Sequence, residues 1–281
     1  MENFLVQNKE AFESSINDIL KVLRPIFNDS KFMKFIEDRI SLCDFYCFNP
    51  DDGLNTVKVG EYESYTLNMQ NNGGVTFTPT CNVYNSFYRP VCAVRTDDNS
   101  KNNKFLKDTI YHELVHVIST SQYQIKNSGK LYCLGLFKTQ ETEYENVQNS
   151  YYYLNECLTE LIAKYIFDKA NKDNYNIVYN HGVESKYARG YFLLAYLLLN
   201  RLERNPRELI TAYLLNDTES FFSILYDETG LTEKELLKLL DIAQKSLKDF
   251  KYEVVFKYQI KKLNRKNKLQ NQDVVRQYKL I

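Results

Sequence analysis

His112 and His116 stand four residues apart in Tyr111-His112-Glu113-Leu114-Val115-His116, with a carboxylate between them. On a helix, at about 100° per residue, the two imidazoles point about 40° apart and can reach one ion. Glu113 lies about 100° round from His112, beside such an ion rather than on it. A general base must sit there to take a proton from a metal-activated water. The chain has three histidines, and two of them fall within this motif. The spacing points to zinc-assisted hydrolysis, which needs a further ligand, because catalytic zinc usually has three protein ligands and one open position.

Forty positions past His116 the chain reads Leu154-Asn155-Glu156-Cys157-Leu158-Thr159-Glu160-Leu161. Glu156 and Glu160, at i and i+4, share one helix face, while Leu154, Leu158, Leu161 and Tyr165 take the other. The first helix divides the same way, with Leu106, Ile110, Leu114 and Val117 opposite the histidines. Glu156 has no basic residue four positions away to pair with, whereas Glu160 has Lys164.

HELVH followed by NECLTE resembles the paired helices of the gluzincins, the thermolysin-like zinc peptidases. The resemblance is one of motifs and covers residues 104 to 170. It implies that His112, His116 and Glu156 bind Zn2+, that Glu113 activates the water, and that Glu160 orients a ligand histidine. It also implies a His or Tyr beyond the third ligand as oxyanion donor, and His181 and Tyr187 lie in that part of the chain. The expected fold is α+β and zincin-like: a small antiparallel sheet, then the HExxH helix, then a mainly helical C-terminal half. In such a fold a sheet edge strand lies above the metal and pairs with an extended substrate backbone; here either Val75 to Thr78 or Val91 to Val94 fills that place.

The elements that must position these groups follow from periodicity. Residues 1–48 read as two or three helices, with Phe12, Ile16, Ile19, Leu20 and Leu23 at helical spacing and Pro25 interrupting. Residues 55–98 are strand-like: Tyr65, Leu67 and Met69 alternate, Asn71 to Gly74 turns, and Val75 to Thr78 returns. Ser100 is a candidate cap for the first ligand helix. Both ligand helices belong to a core expected over 100–203, and Leu131 to Phe137 between them reads as a strand. Helices are expected near 183–203, 206–226, 231–249 and 252–266, with Gly230 ending one and Thr232 capping the next. The C-terminal helices span 206–250, followed by a basic tail, 251–281.

Composition fits an ordinary globular chain: 281 residues, 44% hydrophobic and 26% charged. The six cysteines, at 43, 47, 81, 92, 133 and 157, read as reduced thiols in a chain this large. No basic n-region precedes an apolar core at the start, and the longest apolar run, Tyr191 to Leu199, is too short to span a bilayer. A cytoplasmic protein is the expectation. Formal net charge is zero, yet residues 251–281 hold nine Lys or Arg against Glu253 and Asp273, leaving +7 there and −7 in the first 250.

The basic tail suits nucleic acid, an anionic membrane or an acidic partner, or is a solvated helix docked through Val254, Val255, Tyr258 and Leu263. No helix-turn-helix, RNA-binding or zinc-finger pattern accompanies it. The leading expectation is a zinc metallopeptidase acting on a peptide or protein. A non-catalytic zinc-binding regulator and a nucleic-acid-associated protein are the alternatives.

Overall fold

The computed structural model describes residues 2–52, 54–59, 63–67, 73–81, 86–87, 89–96, 103–125, 129–141, 146–148, 151–171 and 187–267. After a short strand β1 (Glu2–Phe4), helices α1 (Glu10–Ile26) and α2 (Ser30–Leu42) lead into strand β2 (Asp44–Phe48). Helix α1 buries Phe12, Ile16, Ile19 and Leu23, one stripe at helical spacing. Pro25 sits in its last turn rather than interrupting it. Asp29 caps α2, its carboxylate accepting the Lys31 amide at 2.8 Å.

Strands β3 (Leu54–Val59), β4 (Glu63–Leu67), β5 (Gly74–Phe77), β6 (Thr80–Cys81), β7 (Ser86–Phe87) and β8 (Val91–Arg95) follow, then helix α3 (Asn103–Ser119) with both motif histidines. The expectation of one antiparallel sheet over 55–98 is corrected here. Strands β1, β3 and β4 form one sheet, β6 and β7 a hairpin, and β2, β8 and β5 a third, mixed sheet. In the mixed sheet β2 runs parallel to β8 and β5 antiparallel to it. Residues 44–48, expected to close a helical segment, thus supply a strand. Their apolar run, Phe45-Tyr46-Cys47-Phe48, is buried on both faces, so it lacks the alternation that marks a half-exposed strand.

That two-sided burial places the sheet. Phe45, Cys92 and Val94 join the main core with the helices, while Tyr46, Phe48, Val91 and Ala93 join a smaller cluster with Val57, Val59 and Leu67. Because β5 pairs Thr76 with Cys92 and Gly74 with Val94, both residues face α3. Central β8 cannot be an edge; β5 is the terminal strand of its sheet among the described residues.

Between the two motif-bearing helices lies a four-stranded antiparallel meander of β9 (Thr120–Ile125), β10 (Gly129–Leu134), β11 (Phe137–Glu141) and β12 (Asn146–Gln148). Leu131 to Phe137, read as one strand, is instead two strands around a tight turn at Gly135, whose φ is +56°. The second motif lies on helix α4 (Tyr152–Asn171), followed by α5 (Ala188–Arg204), α6 (Pro206–Leu214), α7 (Thr218–Thr229), α8 (Glu233–Lys245) and α9 (Phe250–Asn267). The single helix expected over 206–226 is broken at Asn216, at φ 59°, with Asp217 capping the next. Gly230 ends α7 in the left-handed conformation and Thr232 opens α8 with a capping box to Glu235.

One apolar core runs from Phe12 to Leu263, so the N-terminal helices, α3, α4 and α9 share it. Helix α9 docks through Phe256, Ile260 and Leu263, whereas Val254 and Tyr258, expected on that face, are exposed. Among the described residues no helix is long and apolar enough to cross a membrane. Cys43, Cys47, Cys92, Cys133 and Cys157 are free thiols. Met69, Ser100 and residues 268–281 of the tail lie outside the described residues.

Candidate metal centre

Helix α3 is held at the end that carries the histidines. A helix leaves its last carbonyls without intrahelical partners, and here neighbouring and distant side chains together supply them. The His116 carbonyl accepts from Ser119 Oγ and Thr120 Oγ1, each at 2.9 Å. Arg39 of α2 donates to the Ile118 carbonyl, and Asn216 Nδ2 donates to those of Ser119, at 3.1 Å, and Gly135, at 2.6 Å. Asn155, the first residue of the NECLTE motif, accepts the Leu136 amide at 2.9 Å and so pins the β10–β11 turn against α4. A Cβ on Gly135 would lie 2.2 Å from that Asn155 oxygen, so the turn closes this tightly only around glycine.

Helices α3 and α4 pack side by side and bring three donors together. His112 Nε2 and His116 Nε2 are 3.1 Å apart, and each lies 3.5 Å from an oxygen of Glu156. Four ligands around zinc at about 2.0–2.1 Å would stand about 3.3–3.4 Å apart in a tetrahedron; the two ring nitrogens lie near that spacing, and the Glu156 carboxylate spans both, Oε2 toward His112 and Oε1 toward His116. His112, His116 and Glu156 form a candidate metal-holding group among the described residues. Two ring nitrogens and a carboxylate in such contact set lone pair against lone pair unless a proton or a cation lies among them.

The outer ring nitrogens turn toward α4. His112 Nδ1 is 2.8 Å from Glu160 Oε2, and His116 Nδ1 is 3.5 Å from the Thr159 hydroxyl. With Nδ1–H donating to Glu160, His112 keeps its Nε2 lone pair directed at the cluster. Behind Glu160 stands a buried ion pair: Lys164 Nζ is 2.8 Å from Asp108 and 3.9 Å from Glu160 Oε1. Asp108 and His112 are one turn apart on α3, and Glu160 and Lys164 one turn apart on α4. The two helices are therefore joined at consecutive levels by a chain of charge.

Glu113 projects to the other side of α3, under β5. Its Oε2 accepts from Thr76 Oγ1 at 2.7 Å. A Cβ at Gly74 would lie 2.7 Å from Glu113 Cγ and 2.8 Å from Oε1, so Gly74 leaves the space that this carboxylate occupies. Burial raises the Glu113 pKa, against the lowering by His112, His116 and the Thr76 hydrogen bond. Burial alone would lower His112 and raise Glu156. In each case the partners prevail, the carboxylates of Glu156 and Glu160 lifting His112 well above the usual imidazole range and the two histidines holding Glu156 well below the usual carboxylate range.

No protein family, curated protein or solved structure matches the chain. What the site can do chemically therefore rests on its own geometry.

Of the residues singled out in the sequence, His112, His116, Glu156, Glu160 and Glu113 come together around one point. Tyr187 stands at the start of α5, its hydroxyl 3.2 Å from that of Tyr152. Tyr152 is one turn before Glu156 on α4, which puts the hydroxyl pair on the Glu156 side of the site, and burial and then the Glu156 charge push the Tyr187 pKa up. His181 lies outside the described residues. Sequence reasoning missed Gly74, Thr76, Asp108, Thr159 and Tyr152, and took Lys164 only as an i+4 partner of Glu160. One of these left a signal: Asp108 is one turn before His112 on its face. Tyr152, whose pKa is raised by burial and then by Glu156 and Glu113, left none in a chain of 23 tyrosines.

Proposed function

We propose that this protein is a zinc-dependent peptidase of zincin-like arrangement, with His112, His116 and Glu156 as metal ligands and Glu113 as general base. The observation that carries the reading is the convergence of both histidine Nε2 atoms and the Glu156 carboxylate, close enough to share one ion, with a second buried carboxylate, Glu113, held beside them by Thr76 and Gly74. Asp108, Glu113, Glu156 and Glu160 gather more negative charge than Lys164 offsets, which favours a divalent cation among them. A zinc ion there would supply a Lewis acid that polarises a carbonyl and acidifies a water.

The chain's own groups do the rest. Glu160 and Thr159 fix the two imidazole rings so that both Nε2 atoms point inward. Glu113 takes a proton from the attacking water and returns it to the leaving amine, a task its raised pKa suits. The hydroxyls of Tyr187 and Tyr152, on the Glu156 side, are the donors for the developing oxyanion. Strand β5 is the edge against which an extended peptide would lie, one face of it already committed to Glu113.

The experiment is metal content by mass spectrometry beside hydrolysis of a peptide library, for wild type and Glu113→Gln. About one zinc per chain in both, with hydrolysis in wild type alone, is the expected result. Metal in both without hydrolysis of any peptide would favour a zinc-binding regulator. No metal in wild type, even after zinc is added back, would end the reading.

A further inference from the structure

Helix α9 is amphipathic twice over. One face, Phe256, Ile260 and Leu263, closes the core. The opposite face carries a second apolar stripe at i, i+4 and i+8: Phe250, Val254 and Tyr258, which are 77%, 53% and 64% exposed. A helix whose partner is the core alone needs no such stripe, since exposed apolar side chains in a row mark an interaction surface.

Its charges say what kind of surface. Lys251, Lys257, Lys261 and Lys262 are all exposed. At about 100° per residue they fall on or beside the apolar stripe. The acidic residue within this part of the helix, Glu253, lies toward the docked side, where it faces Arg189 at 3.6 Å and Lys257 at 3.1 Å. The sequence remains basic beyond, at 265, 266 and 268. Lysines bordering Phe, Val and Tyr match a bilayer interface, where headgroups are anionic and the layer just beneath is apolar. A nucleic-acid backbone would satisfy the lysines and leave Phe250 and Val254 without a role.

We propose that the exposed face of α9 docks the protein on an anionic lipid surface, with Phe250, Val254 and Tyr258 entering the headgroup layer and the lysines engaging the lipid charge. The helix lies in the plane of the interface and does not cross it. Docking this way leaves the Phe256 face in the core, so attachment needs no unfolding, and it is independent of any chemistry at the histidine cluster.

The test is co-sedimentation of the full chain with phosphatidylcholine vesicles, and with the same vesicles containing one-third phosphatidylserine, beside binding to duplex DNA. Two variants accompany wild type, Phe250→Ser/Val254→Ser/Tyr258→Ser and Lys261→Glu/Lys262→Glu, both confined to the exposed face and checked for native circular dichroism. Each lysine near a charged membrane contributes about fivefold in affinity. Wild type should therefore bind the anionic vesicles more than about tenfold tighter than neutral ones, less so in high salt, and both variants should lose about tenfold or more. No preference for anionic vesicles would overturn the proposal. So would vesicle binding unchanged in the serine variant, or DNA binding that is as tight as vesicle binding and indifferent to those three substitutions.

Discussion

The two sides of α3 are built for different ends. Toward α4, His112 and His116 meet carboxylates, a hydroxyl and, one level back, the Lys164–Asp108 ion pair: everything there fixes where the imidazole nitrogens point. Toward β5, Glu113 meets a glycine and a threonine, which fix how much room one carboxylate has and how readily it gives up a proton. A single helix thus presents two imidazoles on one side and a lone buried carboxylate on the other, each side supported by a different element. In the proposed enzyme, damage to the α4 side should change metal affinity, and damage to the β5 side should change turnover at unchanged metal content.

The largest break in that division comes from Glu156→Gln. It removes the one carboxylate that touches both histidines, at 3.5 Å each, so metal affinity should fall more than about 100-fold and peptide hydrolysis with it. Equilibrium dialysis against a zinc-buffered series measures the first. Full zinc affinity in Glu156→Gln would remove the α4 side from metal binding and leave the two histidines without a third ligand.

Gly74→Ala attacks the other side. Its new methyl would overlap Glu113 Cγ and Oε1, pushing the base out of register while touching no proposed ligand. Hydrolysis should drop about 10²- to 10⁴-fold in kcat/KM, the contribution of a positioned general base, with zinc content at the wild-type level. A loss of zinc alongside the loss of rate would show that the two sides are coupled through α3.

How much of this division the sequence disclosed depends on the reach of each contact. The α4 side was legible because its residues repeat at i and i+4 on two helices, and helical spacing alone puts His112 with His116 and Glu156 with Glu160. Lys164 was visible by the same rule, yet its stronger partner, Asp108, sits on the other helix, and no local period links them. The β5 side was less legible still. Gly74 looked like part of a turn because Asn-Asn-Gly-Gly precedes a strand in many hairpins; its role arises from the pairing of β5 with β8, a contact made through tertiary packing. The same cause hid β2, whose two-sided burial erased the alternation by which a strand is recognised, and the break at Asn216, where a non-glycine residue takes a positive φ to direct its amide at the Ser119 and Gly135 carbonyls. The docked face of α9 shows the limit from the other direction, since a helix with two apolar stripes does not say which one meets the core.

A smaller effect should follow from the ion pair behind Glu160. Lys164→Met alone would strand Asp108 as a buried, unpaired carboxylate and destabilise the fold, so the informative variant is Asp108→Asn/Lys164→Met. If the pair works by holding Glu160 against His112 Nδ1, zinc affinity should fall about tenfold with an unchanged melting profile of the metal-free protein, and Glu113-dependent turnover at saturating zinc should be preserved. An unchanged affinity would mean that Glu160 is placed by α4 alone and that the pair serves only to bind the helices together.

The smallest and most specific effect is expected at Thr76. Its hydroxyl donates to Glu113 Oε2 at 2.7 Å, which favours the ionised carboxylate and opposes the rise caused by burial. Replacing Thr76 with Val removes that donor at nearly constant volume, so the Glu113 pKa should climb further. A general base works only when deprotonated; the acid limb of kcat/KM should therefore move to higher pH, with rates on that limb about three- to tenfold below wild type, the net worth of one ordinary intramolecular hydrogen bond. At pH values above the limb the two proteins should converge, because the carboxylate is ionised in both. Zinc content should be identical across the whole range. A uniform loss at every pH would instead make Thr76 a spacer like Gly74, and a shift accompanied by weaker zinc binding would show that the hydroxyl acts on the histidines through α3 rather than on the base.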